Sequence, residues 1–172
     1  SGEACDVKDF DNPGGSILRD VRIVAFEKQE IQEDVFKSVC TLGGPTGWFR
    51  YNFLWRIRGA LDKLSGGYGL SRGRRDSKEL RIGDALDFWK VVDIKEGKRL
   101  LLYSQMKLPG QAWLEFDIQP GQLVQTAHFI PHGILGRLYW YSVYPLHYFV
   151  FSNLARTVVN SSRTISTQNP NA

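Results

Sequence analysis

The segment at 134–159, ILGRLYWYSVYPLHYFVFSNLARTVV, constrains the fold of this chain most. It has no Lys, Arg, Asp or Glu from position 138 to 154, and seven of the residues at 139–151 are Phe, Tyr or Trp. A helix that is apolar on almost every face must be buried in protein or in lipid. The sequence therefore predicts one long helix that either spans a bilayer or covers a large apolar surface of the protein.

We favour burial in protein, because the polar residues His147 and Asn153 and the backbone group freed by Pro145 interrupt the segment and would need partners in hydrocarbon. A mean hydropathy of −0.28 and 23% charged residues are also typical of a globular domain. The first twenty residues do not resemble a signal peptide. We expect a cytoplasmic protein without a membrane span, with Cys5 and Cys40 as reduced thiols. The chain starts at Ser1 without methionine, as expected of a piece of a longer protein.

The net charge of +4 and the pI near 9.1 are too mild to indicate a nucleic-acid partner. The three histidines, His128, His132 and His147, are too scattered to predict a metal site. We therefore expect no metal, no cofactor and no nucleic acid, and the sequence leaves the oligomeric state open.

Seven segments with strand or helix patterns precede the long helix. The predicted elements are, in order, a strand at 19–26, helices at 32–42 and 48–64, and strands at 85–94, 99–108, 112–119 and 123–130. In the first strand, Val21, Ile23 and Ala25 alternate with Arg22, Val24 and Phe26. Helices that are segregated from a run of strands indicate the α+β class. We expect an irregular segment at 1–18, one domain at 19–159, and a disordered polar tail at 160–172.

This order of elements resembles the helix-grip fold of the START and birch-pollen-allergen-like (SRPBCC) superfamily. The segments WFRYNFLWRIRGALDKL, RGRRD, LRIGDALDFWKV, MKLPGQAWLEF, LVQTAHFIP and GRLYWYSVYPLHYFVF resemble a bacterial domain of unknown function. That domain often follows an NAD(P)-binding Rossmann-type domain in epimerase-like proteins. The resemblance covers about residues 19–158. It implies a curved antiparallel sheet wrapped around a long C-terminal helix, with two helices after the first strand, and a Rossmann-type domain as a partner.

The leading hypothesis for function is a binding module that encloses a small apolar or amphipathic molecule beneath the C-terminal helix. The predicted cavity residues are Trp55, Phe88, Met106, Leu114, Phe116, Tyr141, Tyr144 and His147. An alternative is a cavity enzyme of the cyclase or dehydratase type, with Glu115, His147 and Tyr144 as acid/base groups. A third is an interaction domain without a ligand. The sequence does not decide whether the protein is an enzyme.

Two further features leave their alternatives open. Arg72, Arg74 and Arg75 lie in a glycine-containing loop that could hold an anion or could simply be solvated. Strand alternation separates Glu115 from Leu114 and Phe116, and we expect the apolar pair to face the cavity. In the opposite register, Glu115 would enter the cavity.

Overall fold

The computed structural model describes residues 17–26, 32–42, 80–86 and 88–168, with side chains described up to residue 162. The described elements are β1 (Leu18–Ala25), α1 (Gln32–Cys40), β2 (Ala85–Leu86), β3 (Trp89–Lys95), β4 (Arg99–Ser104), β5 (Gly110–Gln119), β6 (Gln122–Pro131) and α2 (Gly133–Gln168).

The six strands of the described part form one antiparallel sheet in the order β1-β6-β5-β4-β3-β2. Strands β2 to β6 follow one another as hairpins, and β1 then pairs with β6 at the far edge. Two of the hairpin turns need a backbone that glycine adopts most readily. Gly97 and Gly121 have φ angles of 68° and 77°, in the left-handed region.

The main core lies between one face of this sheet and the two helices. Cross-strand partners share a face, so one row across the sheet contains Leu102, Leu114, Ala127 and Asp20, and the next contains Leu100, Phe116, Gln125 and Arg22. The apolar residues of both rows are buried in the same cluster as Val35 and Val39 of α1. We call this the helix-facing side of the sheet.

Helix α2 has two different halves. From Val150 onward it buries a stripe of side chains in the core: Val150, Phe151, Leu154, Ala155, Val158 and Val159. Before that point most of its large apolar side chains are exposed, and Trp140 is a buried exception. At its start the helix approaches the sheet so closely that a side chain at Gly136 would collide with the carbonyl oxygen of Pro109 and with Pro131.

The α+β class and the curved antiparallel sheet with a long C-terminal helix are confirmed, and they are consistent with a helix-grip fold. The predicted helix at 48–64 lies outside the described residues. The strand predicted at 85–94 is two strands, β2 and β3, and β4 ends at Ser104 rather than Leu108. The prediction that the last helix ends near Val159 is wrong, because α2 continues to Gln168. Its polar C-terminal residues do not stop a helix whose earlier turns are held by the core.

Among the described residues no helix combines the length and the hydropathy that a membrane crossing requires.

Candidate functional site

Strand β1 differs from an ordinary amphipathic strand in which of its side chains are buried. Its apolar residues Val21 and Ile23 are 47% and 60% exposed, whereas Asp20 is only 4% exposed. The reason is the register with β6, which places Asp20 opposite Ala127 and therefore on the helix-facing side. A strand that turns Asp20 and Arg22 toward the helices while apolar residues of its other face are exposed departs from the local rule, and such conflicts are expected at functional sites.

The buried charges of β1 form an ion pair. Nη2 of Arg22 lies 2.7 Å from Oδ1 of Asp20. The guanidinium carbon of Arg22 also lies 4.6 Å from the ring centroid of Tyr148 on α2, within the range of a cation–π contact. These contacts connect the edge strand to the long helix and hold the guanidinium between them.

Gln125 of β6 lies directly opposite Arg22 in the register and is 1% exposed. Within the described part of the chain, neither its amide nitrogen nor its amide oxygen has a hydrogen-bond partner. The same holds for Oδ2 of Asp20 and Nε of Arg22. We call Asp20, Arg22 and Gln125 the polar cluster.

The polar cluster is energetically costly as it stands. A buried polar group without a hydrogen bond costs about 1–3 kcal/mol, and more than 90% of buried polar groups in proteins are paired. With respect to the described residues, the cluster has unused donors at Gln125 and Arg22 and unused acceptors at Gln125 and Asp20. A ligand group that both donates and accepts could therefore hydrogen-bond these atoms. No hydrogen bond within the described part of the protein would have to break for it to do so.

Aromatic rings of α2 lie along the same two strands. Trp140 stacks on Phe129 of β6 with a centroid distance of 5.6 Å and an interplanar angle of 12°. The ring of His147 meets Trp140 edge-on at 5.5 Å. Since Trp140 contacts Phe129 and Tyr148 contacts Arg22, the helix between them runs over the polar cluster. The site thus has a polar floor on the sheet and an aromatic wall on the helix.

A second polar group lies on the opposite side of the sheet. Arg99 donates from Nε to Glu115 Oε1 at 2.6 Å and from Nη1 to Asp93 Oδ2 at 3.0 Å. The other oxygen of Glu115 lies 2.7 Å from Nε2 of His128. Beside this network, Leu101 and Trp113 are fully buried. These contacts form a structural brace across β3, β4, β5 and β6, in which His128 takes part through Nε2 alone, since its Nδ1 has no partner among the described residues.

The hydrogen bond with His128 lowers the pKa of Glu115 below its ordinary value of 4.5. Partial burial opposes this effect, and the charge and hydrogen bond of Arg99 reinforce it. Glu115 is therefore held as a carboxylate. A carboxylate with two engaged oxygens is suited to bracing the sheet rather than to donating a proton.

The structure distributes the predicted cavity residues over several places. Leu114, Phe116 and Phe88 are buried in the core on the helix-facing side, and Met106 packs at its margin. The apolar pair Leu114 and Phe116 thus has the expected orientation. The prediction is wrong for Tyr141 and Tyr144, which are 66% and 40% exposed, because α2 directs these positions away from the sheet.

The predicted acid/base set does not assemble. Glu115 lies on the face of the sheet that points away from α2, whereas His147 lies among the aromatic rings of α2. Tyr144 contacts Trp140 at 6.3 Å between centroids and is otherwise turned outward. The strand register separates these groups, so this set cannot act on one substrate.

The three histidines also lie apart, with His128 in β6, His132 in the exposed turn before α2, and His147 within α2. In the described ranges no three His, Cys, Asp or Glu side chains are grouped as metal ligands would be. The cavity candidate Trp55 and the anion candidates Arg72, Arg74 and Arg75 fall outside the described residues.

Sequence reasoning missed the polar cluster. Its signal is present in β1, where Asp20 and Arg22 share one face with Leu18 and Val24. Alternation shows that these residues share a face, but it does not tell which face is covered. The apolar set Val21, Ile23 and Ala25 is the natural choice for the covered face, and the structure reverses it.

Two solved structures resemble this chain at low similarity. The Mll3558 protein from Rhizobium loti is 9% identical, with a TM-score of 0.39, and the alignment covers 83% of this chain and 97% of that one. Protein CV1439 from Chromobacterium violaceum is 15% identical, with a TM-score of 0.40 and the same two coverages.

No curated protein matches this sequence. A family model does match, over residues 13–154, which include β1, the sheet and the first half of α2. The matched region is most of the chain and contains the whole polar cluster. The chain therefore belongs to the DUF2867 family, a family of proteins of unknown function.

Proposed function

We propose that this protein binds a small amphipathic molecule between α2 and the sheet, with the polar cluster as the anchor for the polar end of that molecule. The observation that carries the proposal is Gln125, which is 1% exposed with both ends of its amide unpartnered among the described residues. A sequence selected for stability alone would place an apolar residue there. A residue that costs stability at a buried position is expected where it serves binding.

The charge balance of the site specifies the ligand further. Asp20 and Arg22 are paired at 2.7 Å and neutralise each other. A charged ligand group would leave one uncompensated charge in a buried site, which is strongly unfavourable. The preferred polar end is therefore neutral and both donates and accepts hydrogen bonds, as a hydroxyl or a carboxamide does. The aromatic rings of α2 suit an apolar body.

The site reaches the surface at one edge. β1 is the edge strand of the described sheet, and the side chain of Arg22 is the most exposed of the polar cluster, at 18%. Tyr148, which lies over the guanidinium, is about half exposed. A ligand would enter between β1 and α2, beside the Tyr148 ring.

The test uses N-phenyl-1-naphthylamine, a neutral fluorescent probe, and four competitors with the same ten-carbon chain: decanol, decanamide, decanoate and decane. We expect decanol and decanamide to displace the probe about tenfold better than decanoate, because only decanoate carries charge. Failure of the probe to bind, or equal displacement by all four, would contradict the proposed site.

The substitution Gln125→Met tests the anchor itself. Methionine has a similar volume and no hydrogen-bonding amide, so we expect the free energy of unfolding to rise by about 1 kcal/mol. The affinity for decanamide should fall about tenfold at the same time. A variant that gains stability and loses affinity separates binding from folding.

Gln111→Met is the matched control. Gln111 lies on β5 opposite Ile130, on the side of the sheet away from α2. The same chemical change there should leave decanamide binding as in the wild type. If Gln125→Met binds decanamide as tightly as this control does, the polar cluster is not the anchor.

A further inference from the structure

The outward side of α2 changes character midway along the helix. In its second half the side opposite the sheet carries Ser152, Arg156 and Asn160, as expected for a surface helix. In its first half the same side is apolar. The large residues exposed there, between 40% and 77%, are Ile134, Leu135, Leu138, Tyr141, Tyr144, Leu146, Tyr148 and Phe149. We call these eight residues the outer patch.

The outer patch is larger than an isolated monomer normally exposes. A large side chain has roughly 200 Å² of surface, so the eight residues expose roughly 1,000 Å² together. The largest apolar patch on a typical monomer is about 300–600 Å², and each partner in a standard protein interface buries about 800 Å². The patch therefore has the area that one side of a stable dimer requires.

Four residues of the patch, together with the exposed Pro145 among them, form one stripe with the spacing of a helix–helix seam. Ile134, Leu138, Tyr141, Pro145 and Tyr148 follow one another at intervals of four, three, four and three residues, and this alternation places side chains in line along two paired helices. The stripe is also symmetric about Tyr141, with two members on each side. A self-complementary surface of this kind is what a two-fold interface between identical chains needs.

We infer that the outer patch is a homodimer interface, in which the first halves of two α2 helices pair antiparallel across a two-fold axis near Tyr141. Each Ile134 then lies against Tyr148 of the other copy, and each Leu138 against Pro145. The stripe itself contains no charged residue, and the nearest charges, Arg137 on α2 and Arg22 against Tyr148, lie at its margin.

The antiparallel direction follows from the charges beside the patch. Arg137 is the one Lys, Arg, Asp or Glu residue between positions 133 and 155 of α2. A parallel pair would place the two Arg137 side chains next to each other, whereas the antiparallel pair separates their positions by about 12 Å along the axis. Antiparallel helix dipoles also attract rather than repel.

A lipid surface suits the patch less well. Helices that lie in a membrane interface carry many cations along their polar side, but Arg137 and Arg156 are the only charged residues at positions 133–162. The opposite side of α2 is also already packed against β1, β6 and α1.

Sedimentation velocity from about 1 to 100 μM tests the dimer. We expect the wild-type chain to dimerise in this range, and Leu138→Glu to weaken association tenfold or more, because it buries a charge at the seam. Ile82→Glu is the matched control, since Ile82 is 54% exposed and lies in the turn before β2. Circular dichroism should show the same secondary structure in all three proteins.

Crosslinking tests the symmetry. In a chain with Cys5→Ser and Cys40→Ser, Tyr141→Cys should give a covalent dimer with a short bismaleimide, because the two positions meet at the axis. Arg156→Cys should not, since two such positions would lie about 45 Å apart along the helices. A wild-type chain that stays monomeric at 100 μM, or that floats with phosphatidylcholine–phosphatidylserine vesicles as a monomer, would overturn the inference. So would a Leu138→Glu variant that dimerises like the wild type.

Discussion

At the scale of single residues, the two sets of buried polar groups in this sheet differ in how many of their atoms are hydrogen-bonded. Asp93, Arg99, Glu115 and His128 are joined by ion pairs and hydrogen bonds, and His128 Nδ1 is the one buried atom of this set that stays without a partner among the described residues. Asp20 and Gln125, on the helix-facing side, keep polar atoms that no described residue bonds. Among the described residues the first set is the more completely hydrogen-bonded and the second carries more unpaired polar atoms, which is the observation behind the proposed binding site.

The Glu115 carboxylate should make stability depend on pH in the acid range. Its pKa is lowered in the folded protein, so its contribution to stability is present above pH 4.5 and is lost as the pH falls through the folded-state pKa. Glu115→Gln should destabilise the protein near pH 7. Its deficit relative to the wild type should then shrink as the pH falls below 4.5. Urea unfolding between pH 3 and 7 measures this difference.

Glu96→Gln provides the comparison, since Glu96 is an exposed carboxylate in the turn between β3 and β4. Its unfolding free energy should follow that of the wild type across the same pH range. A deficit for Glu115→Gln that stays constant down to pH 3 would mean that the lost interaction is not the ionised carboxylate.

At the scale of elements, the position of α2 is set by its first turn and its second half. The second half is anchored by a continuous buried stripe. The first turn is anchored by close approach, because Gly136 lies against the Pro109 carbonyl and Pro131. Between these two anchors the helix runs over the polar cluster, so both decide the width of the proposed site.

Gly136→Ala should therefore destabilise the protein by about 1–3 kcal/mol, although alanine is the better helix former. The added methyl group would meet backbone atoms, which cannot rotate away, so the start of the helix must shift. Thermal and urea unfolding measure the change. Ser142→Ala, at an exposed position of the same helix, should change stability by less than about 0.5 kcal/mol. If Gly136→Ala and the wild type had equal free energies of unfolding, the space between Gly136, Pro109 and Pro131 would be wide enough for a methyl group.

At the scale of the whole molecule, α2 is the cover of the sheet. It packs against β1, β6 and α1, and its side chains belong to the same buried cluster as those of the sheet. Among the described helices, α1 cannot replace α2 as the cover of the sheet, because α1 has only nine residues and is too short. Among the described residues, the C-terminal segment therefore supplies the larger part of the cover on this side of the sheet, and α1 supplies the rest.

A chain that ends at His132 should consequently fail to fold cooperatively. It would expose the helix-facing side of the sheet, including Leu114, Phe116 and Phe129. We expect aggregation or a broad, non-cooperative urea transition, measured by tryptophan fluorescence. A soluble 1–132 fragment with a sharp transition would show that α2 is dispensable for the core.

The sequence by itself determined the kinds and the order of most described elements. Hydrophobic periodicity and the Pro-Gly turns locate β1, α1 and the hairpins from β3 to β6, because these patterns depend on neighbours along the chain. The length of the uncharged segment predicted one long helix, and the need to cover a sheet indicated where it lies. Alternation in β5 correctly grouped Leu114 with Phe116 and apart from Glu115.

Only the tertiary structure decided which side of each strand is covered. Alternation divides β1 into two sets, but the pairing of Arg22 with Gln125 turns the charged set inward. That pairing joins residues about a hundred positions apart, so no local pattern reports it. The same limit applies to Tyr141 and Tyr144, since a helix that is apolar on all sides gives no indication of which side meets the sheet.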